Sequence, residues 1–164
     1  MSLLFHNRLK ELFVQYFYDL LKKNEVMNLT AITDPPSVAE LHLFDSLTLL
    51  SVLPPDSDLK LIDVGTGAGL PGIPLKIARP EINLCLLDAT KKRLNFLDDC
   101  LTGLNLQRKT QMVHARAEDA ARKPELREKF DIATARAVAP LNVLAEYCLP
   151  FVKLDVYYCD EGAG

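Results

Sequence analysis

The stretch that decides the fold of this chain is Leu61-Ile-Asp-Val-Gly-Thr-Gly-Ala-Gly-Leu-Pro-Gly72. An apolar run typical of a buried strand stops at Asp63, and the chain then turns through three closely spaced glycines before a predicted helix begins at Pro71. A glycine turn after the first strand of a parallel sheet is where nucleotide-like ligands bind. The glycine spacing therefore bears directly on the class of ligand.

The spacing separates three classes of ligand-binding turn. A P-loop needs lysine and then serine or threonine after its last glycine, but Ile73 and Pro74 occupy those positions. The dinucleotide fingerprint needs a third glycine where Leu70 stands, which disfavours an NAD-dependent oxidoreductase but leaves it as an alternative. The pattern Gly65-x-Gly67-x-Gly69 resembles the motif of Rossmann-like methyltransferases, where backbone approaches S-adenosylmethionine without intervening side chains.

Strand and helix patterns alternate after this turn. This order predicts an α/β protein with a Rossmann-like, mainly parallel sheet flanked by helices. The predicted strands are Lys60–Val64, Ile82–Leu87, Thr110–His114 and Phe130–Ala135, with a fifth candidate at Leu154–Tyr158. The predicted helices are Pro71–Arg79, Lys91–Leu104, Ala115–Arg122 and Pro140–Leu149.

The residues before the first strand follow a helical pattern instead. Apolar residues recur at helical spacing from Leu3 to Lys23, and Asp34-Pro35 is a start signal for a second helix that runs to about Leu53. A proline-rich turn follows at 54–58. We therefore predict an N-terminal helical segment over 1–56 that packs on a cofactor-binding core over 57–164, as one structural domain.

Composition excludes several classes of protein. The 164 residues are 49% hydrophobic, which suffices for a buried core, and the net charge of −3 means that nucleic acid would be bound through a local patch. The chain lacks an apolar run long enough for a membrane span and a recognisable signal peptide, so we expect a cytoplasmic protein. Its four scattered cysteines predict reduced thiols and no metal site.

Asp88 is the first candidate ligand residue beyond the turn. It ends the second predicted strand, at about the 20-residue distance from the glycines at which an acidic residue accepts hydrogen bonds from ribose hydroxyls. The alternative is that Asp88 caps the helix that begins near Lys91. The glycine turn favours the ribose role.

Other polar residues follow the third and fourth predicted strands. Glu118 either contacts the adenine or ribose or is simply a helix first-turn acid favoured by the dipole. Arg136 lies at the carboxyl edge, where ligands bind, although a surface ion pair is its alternative. His42 and Asp45 share a helix face, either as a structural pair or in a substrate role.

Together these runs closely resemble the bacterial 16S ribosomal RNA (guanine-N7) methyltransferase G family, also called glucose-inhibited division protein B. The resemblance extends from about Leu9 to Lys153. The matching runs, in order, are Met27-Asn-Leu-Thr-Ala-Ile-Thr-Asp34, His42-x-x-Asp45-Ser46, Asp63-Val-Gly-Thr-Gly-Ala-Gly-Leu-Pro-Gly-Ile-Pro-Leu75, Leu87-Asp88, Lys92-Arg93-x-x-Phe96-Leu97, Ala115-Arg116-Ala117-Glu118 and Phe130-Asp-x4-Arg136-Ala137.

The resemblance implies an S-adenosylmethionine-dependent enzyme that methylates N7 of a guanine in small-subunit ribosomal RNA or a ribosomal particle. It implies a cofactor site with Gly65, Leu70, the Ala117-Glu118 pair and Arg136, and Asp88 fits the same site by its position. Because N7 carries no proton in neutral guanine, the reaction needs no general base. Arg116 or Arg136 is expected to orient the guanine through its O6 atom.

The residues after Lys153 depart from the pattern of the family. Where the family continues with a glycine-rich turn and further strands, this chain has Leu154-Asp-Val-Tyr-Tyr-Cys-Asp-Glu-Gly-Ala-Gly164. We therefore expect a C-terminally truncated chain. The alternative to an active enzyme is then a protein that binds the cofactor but cannot transfer the methyl group.

Overall fold

The centre of the structure, a computed structural model that describes residues 3–55 and 58–154, is a four-stranded parallel sheet. The strands lie in the order β3-β2-β1-β4, so the chain moves outward from β1 to β3 and then returns to the other side of β1. This reversal creates a topological switch point beside β1. The strands are β1 (Lys60–Val64), β2 (Asn83–Asp88), β3 (Thr110–His114) and β4 (Ile132–Thr134).

Helices connect the strands and also precede them, which confirms the predicted fold class. The long helix α1 spans Leu3–Met27, and Asp34 caps the next helical stretch by accepting a 3.0 Å hydrogen bond from the Ser37 amide. That stretch consists of α2 (Pro35–Val38), a π-helical turn (Ala39–Phe44), α3 (Asp45–Thr48) and a 3₁₀ turn (Leu49–Ser51). The later helices are α4 (Gly72–Ala78), α5 (Lys91–Gly103), α6 (Ala117–Ala120) and α7 (Leu141–Cys148), which a 3₁₀ turn (Leu149–Phe151) follows.

The last predicted strands differ most from the structure. The fourth strand is shorter than predicted because Phe130 forms a separate parallel bridge with Val152 instead of pairing with β1. The candidate strand at Leu154–Tyr158 lies outside the described residues after Leu154.

The two faces of the sheet carry two separate parts of the core. Leu61 and Leu84 point to the face covered by α1, α4 and α5, whereas Ile62 and Cys85 point to the face that holds Phe151. Because both faces are covered, the strands have nearly continuous apolar runs instead of alternating polar residues. This explains why the sequence patterns located the strands well.

Helix α1 also contributes directly to the turn after β1. Tyr16 and Leu20 are fully buried on its inner face. The Tyr16 hydroxyl donates a 2.9 Å hydrogen bond to the carbonyl of Ala68, which lies within the glycine turn. Burial raises the pKa of this phenol well above its usual value, so it remains a donor. The N-terminal helix therefore stabilises the conformation of the turn.

The opposite end of α4 contains a buried lysine. Lys76 is 1% exposed, and its ammonium group donates to the carbonyls of Pro80 and Ile82 at 2.8 and 2.6 Å. Burial lowers its pKa to about 8. The amine anchors the end of α4 to the start of β2. Within the described residues, no helix has both the length and the hydropathy that a bilayer span requires.

The hydrogen bond from Tyr16 generates a prediction for stability. We expect Tyr16→Phe to lower the free energy of unfolding by about 1–3 kcal/mol, because it leaves the Ala68 carbonyl without its buried donor. Urea unfolding followed by circular dichroism measures the change. The control is Tyr18→Phe, since Tyr18 is 65% exposed and its substitution should cost less than about 0.5 kcal/mol. Equal stability of the two variants would contradict the proposed anchoring.

Candidate functional site

The glycine turn lies at the carboxyl edge of the sheet, beside the switch point. The amides of Gly65 and Thr66 donate to the carbonyl of Leu87 at 2.8 and 3.0 Å, so the turn begins against the end of β2. Gly65, Gly67 and Gly69 have φ angles of +67°, +57° and +93°. Residues with a Cβ atom rarely adopt these angles, which explains why all three positions are glycine.

A buried carboxylate holds this turn in place. Asp63 is fully buried at the end of β1, and its Oδ2 accepts hydrogen bonds from the Thr66 hydroxyl at 2.6 Å and the Gly72 amide at 3.1 Å. Its Oδ1 accepts a 3.2 Å hydrogen bond from the Thr134 hydroxyl on β4. Burial raises the pKa of Asp63 to about 6 in spite of these donors. One side chain thus connects β1, β4, the turn and the start of α4.

Asp88 stabilises the same turn from the neighbouring strand. Its carboxylate accepts a 2.9 Å hydrogen bond from the Gly67 amide and a 2.7 Å hydrogen bond from the Thr90 amide. Arg93 lies 3.7 Å from Oδ2, and Asp88 itself is only 3% exposed. The bond to Thr90, the residue before α5, agrees with the capping alternative. Because each carboxylate oxygen has two acceptor sites, these contacts leave capacity for a ligand hydroxyl.

Three cavities open along this edge of the sheet. The first, which we call the Glu118 cavity, measures about 240 Å³, and its lining includes Gly65, Asp88, Ala117 and Glu118. Arg116, Val138 and Tyr147 also line it. The neighbouring Glu118 carboxylate raises the pKa of the Tyr147 phenol. The cavity therefore combines acidic and phenolic oxygen atoms with small or apolar side chains.

The second cavity lies on the other side of the turn, and we call it the glycine-loop cavity. It measures about 380 Å³, and its lining includes residues 65–68 of the turn together with Leu70, Arg93 and Arg136. Gly65 lines both cavities, so its backbone lies at their junction. Gly69 faces inward instead: a Cβ there would lie 2.7 Å from Ile73 and 2.9 Å from Leu97. Its role in the described structure is to let the turn pack on α4 and α5.

Arg136 contacts the N-terminal helical stretch and also lines a third cavity, which is described below. Its Nη1 donates to Asp45 Oδ2 at 3.1 Å and to the carbonyl of Leu41 at 3.2 Å, and Nη2 lies 3.5 Å from His42 Nδ1. Since arginine cannot accept a hydrogen bond, His42 accepts through Nδ1 and donates from Nε2 to the Thr30 hydroxyl at 2.7 Å. Burial and the charge of Arg136 lower the pKa of His42, so this imidazole is neutral.

We call this third space the Asp45 cavity. It measures about 450 Å³ and lies between α3, β4 and α7, beside the cis peptide that joins Leu70 to Pro71. Asp45 and Arg136 supply its charged groups. His42 and Asp45, predicted only to share a helix face, both lie against Arg136 in the structure.

The structure gathers the predicted site residues at one edge. Gly65, Asp88, Arg116, Ala117 and Glu118 line the Glu118 cavity, whereas Gly65, Gly67, Leu70 and Arg136 line the glycine-loop cavity. Sequence reasoning missed the hydrogen bonds made by Asp63 and the positions of Tyr16 and Tyr147. The one available signal was Asp63 itself, because a carboxylate ending a buried apolar strand requires polar partners nearby. Across residues 3–55 and 58–154, no cluster of histidine, cysteine, aspartate and glutamate could hold a metal ion.

Comparison of the sequence with known families identifies relatives along most of its length. The sequence model of the family described as rRNA small subunit methyltransferase G matches residues 9–158. Ribosomal RNA small subunit methyltransferase G of Desulforamulus reducens is 48% identical over 149 residues, which are 91% of this chain and 62% of the relative. The protein of the same name from Caldanaerobacter subterraneus is 50% identical over 88% of this chain and 60% of its own length. The chain thus spans about three fifths of these curated relatives.

Comparison of the coordinates identifies the fold. An O-methyltransferase from Bacillus cereus in complex with SAH superposes with a TM-score of 0.59 at 20% identity, covering 84% of this chain and 61% of that protein. A putative S-adenosyl-L-methionine-dependent methyltransferase from Methanococcus maripaludis gives a TM-score of 0.57 at 16% identity, covering 70% and 52%. At these identities the similarity establishes the shared Rossmann-like architecture.

The buried carboxylate of Asp63 predicts a characteristic pH dependence. Because its pKa is raised from 3.8 to about 6, the folded state binds a proton more tightly than the unfolded state between these values. Its stabilising effect is therefore greatest at low pH and is lost as the pH rises through about 6. We expect the free energy of unfolding of the wild type, relative to Asp63→Asn, to fall by about 2–3 kcal/mol between about pH 4 and pH 7.5.

Urea unfolding of both proteins at each pH measures this difference. Asp98→Asn is the matched control, because Asp98 is exposed on α5 and its substitution should leave the pH dependence of the wild type unchanged. A constant difference between the wild type and Asp63→Asn across this pH range would contradict the assignment of a raised pKa to Asp63.

Proposed function

The chain belongs to the rRNA small subunit methyltransferase G family, and we propose that it is part of an enzyme that transfers a methyl group from S-adenosylmethionine to N7 of a guanine in small-subunit ribosomal RNA. The observation that carries the proposal is the junction at Gly65, where two cavities meet on the glycine turn characteristic of this cofactor. The family match over residues 9–158 supports ribosomal RNA as the substrate.

The two cavities fit the two ends of the cofactor. In this proposal the adenosine occupies the Glu118 cavity, where the carboxylates of Glu118 and Asp88 accept hydrogen bonds from its hydroxyl and amino groups. The methionine part lies along the glycine-loop cavity, where Gly65 and Gly67 present backbone without side chains. Leu70 supplies an apolar wall there, and the charge of Arg136 is available to the methionine carboxylate.

The reaction requires little of the protein beyond positioning the guanine and the cofactor. When bound, S-adenosylmethionine supplies a methyl group on a positively charged sulfur that leaves as a neutral thioether. The lone pair of guanine N7 forms the new N–C bond. The C–S bond breaks at the same time, and the electron pair of that bond stays on sulfur. No proton moves, so the residues need to hold N7 in line with the methyl carbon at close distance. A neutral His42 with both ring nitrogens engaged is consistent with a site that uses no general base.

The ion pair of Arg136 reduces the repulsion between its guanidinium group and the charge that develops on the guanine. Methylation places positive charge on the guanine, and an unpaired guanidinium nearby would oppose it. Asp45 lies 3.1 Å from Arg136 and offsets that charge. Arg136 can therefore orient the base through O6, or hold the cofactor, at a smaller electrostatic cost. Arg116 is exposed at the rim of the Glu118 cavity, where a contact with RNA phosphate or base suits it.

Calorimetry and methyl transfer test this proposal in two steps. Titration with S-adenosylhomocysteine and with NAD should show binding of the first and none of the second. Transfer of labelled methyl to small-subunit particles that lack the modification should then follow. Binding of NAD alone would favour an oxidoreductase, and cofactor binding without transfer would leave this chain as a cofactor-binding part of the enzyme.

Arg136 gives the mutational test of the proposed site. We expect Arg136→Ala to lower methyl transfer by at least about tenfold, because it removes the cation shared by the glycine-loop and Asp45 cavities. The fold should survive, since the side chain is 26% exposed and its ion pair contributes at most about 1 kcal/mol. Arg122→Ala, at an exposed site just after the end of α6, should retain full activity. Unchanged transfer by Arg136→Ala would remove Arg136 from the site.

A further inference from the structure

The Asp45 cavity has no role in the cofactor placement proposed above. It opens beside the switch point, shares Arg136 with the glycine-loop cavity, and its volume of about 450 Å³ falls within the range of roughly 300–1,000 Å³ that small-molecule sites occupy. Most of its walls are small or apolar side chains, contributed by Leu49, Pro71, Ala133, Ala135, Leu144 and Ala145. Such walls suit a flat, uncharged ring system.

The charged end of this cavity has a specific hydrogen-bonding pattern. Asp45 Oδ2 accepts from Arg136 Nη1 at 3.1 Å, and none of the described residues donates a hydrogen bond to Oδ1. The Asp45 side chain is 61% exposed, whereas Arg136 is held by three acceptors. The pair therefore presents free carboxylate acceptor sites directly beside guanidinium donors.

This pattern is complementary to one face of guanine. The Watson–Crick edge of guanine carries two adjacent donors, N1–H and the N2 amino group, followed by the acceptor O6. We propose that Asp45 is a specificity-determining residue that accepts hydrogen bonds from N1–H and N2–H of the target guanine in this cavity, with Arg136 facing O6. This inference rests on the proposed function, and it assigns base recognition to a residue beside the cofactor cavities.

The orientation agrees with the reaction. N7 lies on the opposite side of the purine from N1 and N2, so a guanine held by Asp45 turns its N7 away from the carboxylate. Enzymes that act on single bases commonly read an extruded base through its Watson–Crick edge and pack it between apolar surfaces. Adenine would place an unprotonated N1 against the carboxylate and would lose this contact.

The same contact also favours the transition state. As N7 acquires the methyl group, positive charge spreads over the purine and makes N1–H and N2–H stronger donors. Hydrogen bonds from these groups to an ionised carboxylate strengthen as the charge develops, which is the differential stabilisation that accelerates a reaction. In this proposal Asp45 both selects guanine and raises the rate of methyl transfer, without accepting a proton.

The local backbone is suited to fixing Asp45. It begins α3 directly after the π-helical turn Ala39–Phe44, and such turns occur often at functional sites. The next residue, Ser46, is 1% exposed and donates a hydrogen bond back to the His42 carbonyl. This arrangement brings His42 and Asp45 together against Arg136.

Binding of nucleoside monophosphates tests the inference without requiring methyl transfer. Guanosine and inosine monophosphates carry the same phosphate and differ only in the N2 amino group, and adenosine monophosphate lacks both donors. NMR titration of the wild type, with and without saturating S-adenosylhomocysteine, should show that the guanosine nucleotide binds at least about fivefold more tightly than the inosine nucleotide. The addition of S-adenosylhomocysteine should not displace it.

The variant Asp45→Asn keeps the shape of the side chain but points an amide donor or a single acceptor at the base. It should reduce the ratio of guanosine to inosine affinities to about one, while its affinity for S-adenosylhomocysteine and its melting temperature stay close to those of the wild type. Asp98→Asn, on exposed α5, should keep the wild-type ratio. If the variant fails to fold, its melting temperature will show it. The preference of the wild type for guanosine over inosine monophosphate then still tests the inference.

Each outcome is decisive. Equal binding of the two nucleotides by the wild type, no binding of either, or an unchanged ratio in Asp45→Asn would overturn the inference. Competition between guanosine monophosphate and S-adenosylhomocysteine would assign the cavity to the cofactor and would also overturn it. Failure of the proposed function is separate, because it would appear as no binding of S-adenosylhomocysteine by the wild type.

Discussion

The buried carboxylate of Asp63 is the constraint on which the candidate site depends. Its carboxylate contacts the glycine turn, the start of α4 and strand β4 at once, through Thr66, Gly72 and Thr134. A charge buried this fully is tolerated only because donors surround it. The resulting network holds the turn in which Gly65 borders two cavities, beside the switch point at β1.

The N-terminal helices form part of the site as well as part of the core. Tyr16 supports the turn from one side through the carbonyl of Ala68, and the helical stretch that carries His42 and Asp45 holds Arg136 from the other. The proposed cofactor cavities and the proposed base cavity are therefore both supported by residues from the N-terminal helices and from the region after β4. A change in these helices is expected to alter the geometry of the turn, and not only overall stability.

Local sequence patterns predicted the strands and the glycine turn because both faces of the sheet are covered and positive φ angles demand glycine. They could not predict contacts that only the tertiary fold creates. Arg136 and Asp45 are 91 residues apart in sequence, and the hydroxyl of Tyr16 reaches a carbonyl 52 residues away. Lys76 was predicted to lie in a helix, but its burial depends on carbonyls beyond that helix. Helix and strand periodicities carry no information about such pairings.

We propose that the turn held by Asp63 binds the cofactor at Gly65, where the two cavities meet. Amide NMR spectra recorded during titration with S-adenosylhomocysteine test it most directly. We predict shifts concentrated at Gly65–Leu70, at Asp88–Thr90 and at Arg116–Glu118, which border the two cavities. Lys60 and Lys109, which line a cavity at the opposite edge of the sheet, should stay unchanged. Shifts centred on that opposite cavity, or none at the glycine turn, would contradict the claim.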